Sequence, residues 1–201
     1  MNLTHLEAWD AQDGTLNVII ETPKGTRNKL CYNAEQELFE LSKVLPRGLI
    51  FPFDFGFIPS TVGDDDDPVD VLVLMDEPVP AGCKIPARLI GVIEAKQTED
   101  GKTERNDRLI AVANSSHEHR DIRSLNDLCK TLVEEIEHFF VWSDDLANKK
   151  YKTKAHHGPH RAEKLVRQAA KRYKKKHSRN NGQAWRNGRQ KASRRQDLRP
   201  T

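Results

Sequence analysis

The feature that most limits the possible folds is the way the apolar residues are grouped. They occur in short alternating or continuous runs, each bounded by Gly, Pro, Asn or Asp, which is typical of β-strands. The runs do not alternate regularly with helices, as they would around a parallel sheet. The pattern therefore predicts a mainly β domain, a barrel or a sandwich. The predicted strands are residues 16–22, 29–33, 38–41, 69–75, 85–96 and 108–113.

Helix signals appear only in the C-terminal part of the chain. Ser124 can cap a helix whose apolar residues between 128 and 140 recur at helical spacing. Pro159 suits the first turn of a second helix, predicted to end near Lys176. We expect both helices to flank the β domain. Residues 34–37 are predicted to form the turn of a hairpin between the second and third strands.

Charge is distributed unevenly along the chain. From Lys149 onward there are 19 basic residues against two acids, whereas residues 1–148 carry 14 basic and 28 acidic residues. From residue 177 the chain has almost nothing to bury, so we predict a body at 1–176 and a disordered basic tail at 177–201. The tail could bind nucleic acid through phosphate neutralisation, with Trp185 stacking on a base. A solubilising tail, or one that folds back on the acidic body or a neighbouring subunit, is the alternative.

Cysteine content and hydropathy indicate the compartment. The three cysteines are an odd number without CxxC spacing, so neither a disulfide framework nor a structural zinc site is predicted. Residues 1–13 show no basic start followed by an apolar run, and no stretch of eighteen apolar residues occurs. We therefore expect a cytoplasmic protein without a membrane span.

Four consecutive aspartates, residues 64–67, lead through Pro68 and Val69 into Asp70 and an apolar strand. In an extended loop, Asp65 and Asp67 project from the same side, close to Asp70. Crowded carboxylates raise one another's pKa or repel unless a cation neutralises them. Oxygen ligands with retained waters favour Mg²⁺ over zinc or copper. A solvated surface loop is the alternative, but the continuation into a buried strand favours a cation site.

The segment from Asp65 to Val71, read as Asp-Asp-Asp-Pro-Val-Asp-Val, matches the signature of soluble family I inorganic pyrophosphatases. Segments at 21–23, 48–57, 91–93 and 108–112 resemble the same family, and the resemblance spans about residues 15–146. It implies a five-stranded OB-like barrel with flanking helices and an active site at the barrel mouth. It also implies hydrolysis of inorganic diphosphate to two phosphates with Mg²⁺, or with Mn²⁺ as the alternative, by a homo-oligomeric enzyme.

The resemblance implies roles for individual carboxylates. Asp65, Asp67 and Asp70 would hold metal, and Asp67 would also accept the proton of the attacking water. Glu21 would hold a further metal or its water. The second acidic loop, residues 97–107, is longer than the family's turn. Its preferred metal ligands are Asp100 and Asp107, with Glu99 and Asn106 as competitors.

Cationic and aromatic positions complete the implied site. Lys29 and Lys43 would neutralise substrate oxygens and act in catalysis, and Arg108 would bind phosphate where the family usually has Lys. Phe55 would border the substrate, although Phe51 and Phe55 lack the hydroxyl of the family's tyrosine.

Other positions depart from the family pattern in the half of the site that holds phosphate. Cys31 replaces an acid, and Lys43 replaces an arginine, so a bidentate fork becomes a point charge. After residues 138–140 the family usually has a tyrosine with a cationic or amide neighbour, whereas this chain has Trp142, Ser143, Asp144 and Asp145, and an acid there would repel the substrate. These departures leave a second hypothesis open, namely a weakened relative that binds metal and phosphate ligands without turnover.

Overall fold

The structure is a computed structural model that describes residues 2–196, with side chains described as far as Ser178. Within these residues it contains nine strands, two α-helices and two short 3-10 turns, at Leu3–His5 and Leu125–Asp127. In chain order the strands and helices are β1 (Leu16–Thr22), β2 (Asn28–Asn33), β3 (Leu38–Val44), β4 (Asp54–Ile58), β5 (Val69–Leu74), β6 (Lys84–Glu99), β7 (Lys102–Arg105), β8 (Arg108–Ala113), α1 (Lys130–Asp145), β9 (Lys150–His157) and α2 (Pro159–Gln196).

Five strands close into a ring, which confirms the predicted five-stranded barrel. The strands pair in the order β1, β4, β5, β8, β6 and back to β1. Only the pair of β5 and β8 is parallel among these. The sixteen-residue β6 is long enough to close the barrel at one end and to pair with β7 and β9 at the other. Strands β2 and β3 form a separate hairpin, whose turn lies at residues 34–37 as predicted.

Each helix covers its own part of the apolar core. On α1, Ile136 and Phe139 pack with the barrel side chains around Leu72 and Ile110. On α2, Ala162 and Val166 pack against a second cluster that includes Val71. Burying a side chain such as Ile136 stabilises the fold by about 1.5–3 kcal/mol. Each helix therefore contributes apolar side chains to a cluster that also contains residues of β5.

A glycine allows the barrel to close tightly between β1 and β4. A Cβ atom added to Gly56 would lie 2.0 Å from the carbonyl oxygen of Ile19 and 2.9 Å from the Cα of Ile20. Both neighbours are backbone atoms, so neither can move aside as a side chain could. Close approach of two backbones is one reason for glycine inside a strand.

The predicted strands agree with the structure to different degrees. Strands β1 and β8 have the predicted bounds, and β2 and β5 differ by one residue, whereas β3 and β6 are longer than predicted. Strands β4, β7 and β9 were not predicted. Strand β9 lies in the region where basic residues dominate the sequence, which hides the burial of Tyr151.

Both helix predictions need a change at one end. Ser124 caps the 3-10 turn at Leu125–Asp127, and α1 begins later, at Lys130. Helix α2 begins at Pro159 as predicted but continues to Gln196, because no proline interrupts it and Lys and Arg favour helix. The predicted tail at 177–201 lies largely beyond the described side chains, so its disorder and its separation from the body stay predictions. Among the described residues, no helix combines the length and apolar character needed to cross a membrane.

Candidate active site

A cavity of about 900 Å³ is bordered by the C-terminal end of β1, the starts of β5 and β8, and two hairpins, β2–β3 and β6–β7. Nine of the ten predicted site residues line it. They are Glu21, Lys29, Lys43, Phe55, Asp65, Asp67, Asp70, Asp100 and Arg108. The roles implied for them stay predictions, but the structure places them around one space. The exception is Asp107.

The aspartate run is a short turn before β5 that presents two carboxylates to the cavity. The predicted extended conformation is wrong, because Asp66 has a φ of 69° and the Gly63 amide donates to the Asp67 carbonyl. Asp65 and Asp67 line the cavity, and the amide of Asp67 donates a hydrogen bond to the Asp65 carboxylate over 3.2 Å. Burial raises the pKa of both carboxyls, and the nearby charge of Asp70 raises each pKa further. This is the response expected of carboxylates held together without a neutralising cation.

Glu21 extends the acidic side of the cavity from the barrel wall. It is buried near the end of β1, and its carboxylate accepts a hydrogen bond from the Tyr32 amide over 2.7 Å. Burial raises its pKa to about 7, and the charges of Asp70 and Asp67 contribute to that rise. A cation among these acids would therefore be favoured.

The donor chemistry of this acidic side fits Mg²⁺. Glu21, Asp65, Asp67 and Asp70 offer only carboxylate oxygens, and Mg²⁺ binds through one or two carboxylates while retaining several waters. Within the described residues, no group of three or more His, Cys, Asp or Glu side chains is already placed to hold a metal ion. A Mg²⁺ ion bound here would therefore depend on waters and substrate oxygens for its remaining ligands.

Arg108 is a buried cation between the acidic and basic sides. Its guanidinium pairs with Asp70 and donates to the amide oxygen of Asn106. The guanidinium carbon lies 4.9 Å from the centroid of the Phe140 ring and 5.8 Å from that of Phe55. Its Nε has no hydrogen-bond partner among the described residues. Phe55 thus borders the cavity by packing on Arg108.

Lysines form the basic side of the cavity. Lys29, Lys43 and Lys149 all line it, and the Lys43 ammonium donates to the Ser143 hydroxyl over 3.3 Å. Burial lowers the pKa of Lys43, and the charge of Lys29 lowers it further. Such closely placed cations attract an anion with several charges.

Asp144 places one carboxylate on this basic side. It lines the cavity with only 8% of its surface exposed, and its Oδ2 has no hydrogen-bond partner among the described residues. Burial raises its pKa, whereas the cations around it, Arg108, Lys43, Lys149 and Lys29, act in the opposite direction. An internal carboxylate therefore lies among the groups that would otherwise bind an incoming anion.

The second acidic loop separates its two preferred ligands. Asp100 lies at the β6–β7 turn and lines the cavity, as do the competitors Glu99 and Asn106. Asp107 instead accepts hydrogen bonds from the Ala95 amide and the Arg105 guanidinium, and it lines a smaller cavity that shares Asp65, Asp70 and Asn106 with the main one. Asn106 and Asp107 form the connection between β7 and β8, and of the two only Asn106 lines the main cavity. The placement gives no support to Asp107 as a ligand.

Comparisons with known proteins agree with this geometry. The family profile described as inorganic pyrophosphatase matches residues 18–174. An inorganic pyrophosphatase from Halalkalibacterium halodurans is 37% identical over 159 residues, which cover 79% of this chain and 95% of the relative. One from Nostoc sp. is 33% identical over 174 residues, covering 87% and 100%. The chain belongs to the inorganic pyrophosphatase family.

The fold comparison leads to the same family. The crystal structure of inorganic pyrophosphatase from Thermus thermophilus has a TM-score of 0.79 and 29% identity, and the match covers 87% of this chain and 99% of that one. The structure of the Helicobacter pylori enzyme has a TM-score of 0.72 and 32% identity, covering 80% and 94%.

Some residues that line the cavity of this pyrophosphatase-family protein were not predicted from the sequence. Gln97 lines it and accepts a hydrogen bond from the Asn106 side chain, so a pair of amides lies in the second acidic loop. Lys149 belongs to the cavity, although the charge count places it in the basic region. The signal that could have found Lys149 is its position directly before the alternating β9 strand, where Tyr151 is buried.

Proposed function

We propose that this member of the pyrophosphatase family hydrolyses inorganic diphosphate to two phosphates with Mg²⁺, or with Mn²⁺ in its place. One observation carries the proposal: a single cavity has carboxylates on one side and lysines with Arg108 on the other. Diphosphate carries several negative charges, so its hydrolysis needs both charge neutralisation and an activated water.

The residues divide these tasks. Lys29 and Lys43 would bind phosphate oxygens and hold the substrate against the acidic side. Asp67, whose pKa is raised, would accept the proton of the attacking water. Asp65, Asp70, Glu21 and Asp100 would hold the metal together with Asp67. The bound Mg²⁺ would neutralise phosphate charge and make the water more acidic.

The direct test is phosphate release from diphosphate by the full chain in millimolar Mg²⁺. We expect turnover in the wild type and a loss of about 10²-fold or more in Asp67→Asn, the range of a general-base contribution. Asp121→Asn is the matched control, because that side chain is 88% exposed and does not line the cavity. No release by the wild type, or equal rates in Asp67→Asn, would refute the proposal.

A second function, binding without turnover, is favoured by two contacts in the same cavity. Asp70 is already neutralised by Arg108, and Asp144 already lies among the cations. In this case calorimetry would detect Mg²⁺ and phosphate binding by a protein that releases no phosphate from diphosphate. Measured turnover at an ordinary enzymatic rate, about 1–10³ per second, would exclude it.

Three further expectations belong to the proposal. A homo-oligomer would cover exposed apolar side chains such as Leu41, Ile50 and Trp142, and light scattering measures its size.

Nucleic acid would bind through the basic tail, in which case removal of residues 178–201 abolishes a salt-sensitive interaction with RNA or DNA. A cytoplasmic location can be tested by cell fractionation.

A further inference from the structure

The acidic loop, residues 62–67, has a second face that the proposed function does not use. Asp64 and Asp66 do not line the main cavity and are directed at α2 instead. The Asp64 carboxylate lies 3.0 Å from the Arg172 guanidinium, and the Asp66 carboxylate lies 2.9 Å from the Lys176 ammonium. Arg172 and Lys176 are four residues apart, so they share one face of the helix. We call these two residues the clamp.

Backbone hydrogen bonds fix the same loop. The Nε of Arg172 donates to the Val62 carbonyl over 2.8 Å, and the Val62 amide donates to the Ala169 carbonyl of α2 over 3.2 Å. Across the loop, the amide of Gly63 donates to the carbonyl of Asp67 over 2.6 Å. The loop is thus tied to α2 at its start and folded back on itself at its end.

The loop needs such contacts because its conformation is unusual. Asp66 has a φ of 69°, a left-handed conformation that non-glycine residues adopt rarely. This turn separates Asp65 from Asp67, the two residues that face the cavity. Without external contacts, the loop would sample other backbone conformations and the two carboxylates would lose their mutual placement.

We propose that the clamp positions Asp65 and Asp67 for cation binding by holding the opposite face of the acidic loop. The inference rests on the proposed function, in which these carboxylates hold Mg²⁺. The clamp does not touch the substrate or the reacting atoms, so its residues are positioning residues. Because its ion pairs are exposed, with 81% of the Asp66 side chain open to solvent, their contribution to global stability is small.

The direction in which Mg²⁺ affinity changes when Lys176 is replaced distinguishes a positioning role from a purely electrostatic one. Lys176 is a cation close enough to influence Asp67, so its removal should strengthen Mg²⁺ binding if it acts through its charge alone. If it acts by positioning, its removal should weaken Mg²⁺ binding. The two explanations therefore predict opposite changes.

Mg²⁺ binding to the full chain is measured by titration calorimetry. We expect Lys176→Gln and Arg172→Gln to raise the Kd about two- to fivefold, the range that exposed ion pairs contribute. Lys176→Arg should restore the wild-type Kd. Lys174→Gln is the matched control, because it removes the same charge from the other side of α2. In an Asp66→Asn background, Lys176→Gln should no longer raise the Kd.

Amide hydrogen exchange of the metal-free chain gives a second readout. The amides of Val62 and Gly63 should exchange faster than in the wild type in Lys176→Gln and Arg172→Gln. Their exchange rates should be unchanged in Lys174→Gln. Unchanged exchange, or Mg²⁺ binding that tightens in Lys176→Gln, would overturn the clamp. Absence of Mg²⁺ binding in the wild type would instead refute the proposed function, while exchange still tests the clamp.

Discussion

The guanidinium of Arg108 pairs with the carboxylate of Asp70 inside the cavity wall, and this ion pair joins the starts of the parallel strands β8 and β5. Arg108 is almost fully buried, whereas Asp70 is partly open to the cavity. The buried charge of Arg108 therefore depends on Asp70 for neutralisation more than the charge of Asp70 depends on Arg108. A site built to bind metal and phosphate thus contains an internal ion pair of its own.

The first prediction concerns this pair. We expect Asp70→Asn to lower the free energy of unfolding by about 3 kcal/mol, because it leaves the charge of Arg108 buried with only a neutral partner. Urea unfolding of the metal-free protein measures the change. Asp121→Asn removes a charge from an exposed site and should change the unfolding free energy by less than about 0.5 kcal/mol. Equal stability of the two variants would show that Arg108 does not depend on Asp70.

The second prediction concerns the carboxylate on the basic side. We expect Asp144→Asn to lower the KM for diphosphate about fivefold, because it removes an anion from the groups that bind phosphate. Steady-state kinetics at fixed Mg²⁺ measures the effect. Asp145→Asn is the control, since Asp145 is the last residue of α1 and its exposed side chain does not line the cavity. A higher KM in Asp144→Asn would mean that this carboxylate helps to bind the substrate.

The third prediction concerns the pH dependence of stability in metal-free protein kept with a chelator. The pKa of Glu21 rises from 4.5 to about 7 on folding, so the unfolded chain loses this proton first. Stability should fall as pH rises between about 4.5 and 7, by about 3 kcal/mol in total, and then level off. Glu21→Gln should reduce this slope, leaving the part due to the other carboxyls with raised pKa, and should be the more stable protein at pH 8. An undiminished slope in Glu21→Gln would assign all of it to those other groups.

The fourth prediction concerns the contact between β1 and β4. We expect Gly56→Ala to lower stability by about 3 kcal/mol or more, because its Cβ would overlap the Ile19 carbonyl. Thermal unfolding measures the loss. In Gly158→Ala, the added Cβ would meet the Ser124 hydroxyl at 3.7 Å, an ordinary contact, so this variant should stay near wild-type stability.

Sequence reasoning succeeds where one local pattern decides the structure. Strands β1 and β8 contain runs of apolar residues and have the predicted bounds, whereas Asp65 and Asp67 reach the cavity through a turn and not through the extended loop that their spacing predicts. Their strand partners and the cavity they share depend on contacts far apart in the chain. The resemblance to pyrophosphatases supplied those contacts, including the five-stranded barrel.

The remaining features depend on distances that a sequence does not display. Asp144 lies among cations from β2, β3 and β8, so its surroundings emerge only on folding. Asp64 and Asp66 meet partners more than a hundred residues away on α2, in a region that composition alone marks as basic. Asn106 and Asp107 lie in the connection between β7 and β8, where no strand period predicts that Asn106 and not Asp107 lines the main cavity.

The order of the strands in the ring also determines when this protein can fold during synthesis. β1 ends at Thr22, but the ring needs β8, which ends at Ala113. At about 5–20 residues per second, a ribosome takes roughly 5 to 20 s to make the intervening chain. During that time the apolar residues of β1 have no barrel to enter. The nascent chain is therefore most exposed to aggregation while β1 has been made and β8 has not.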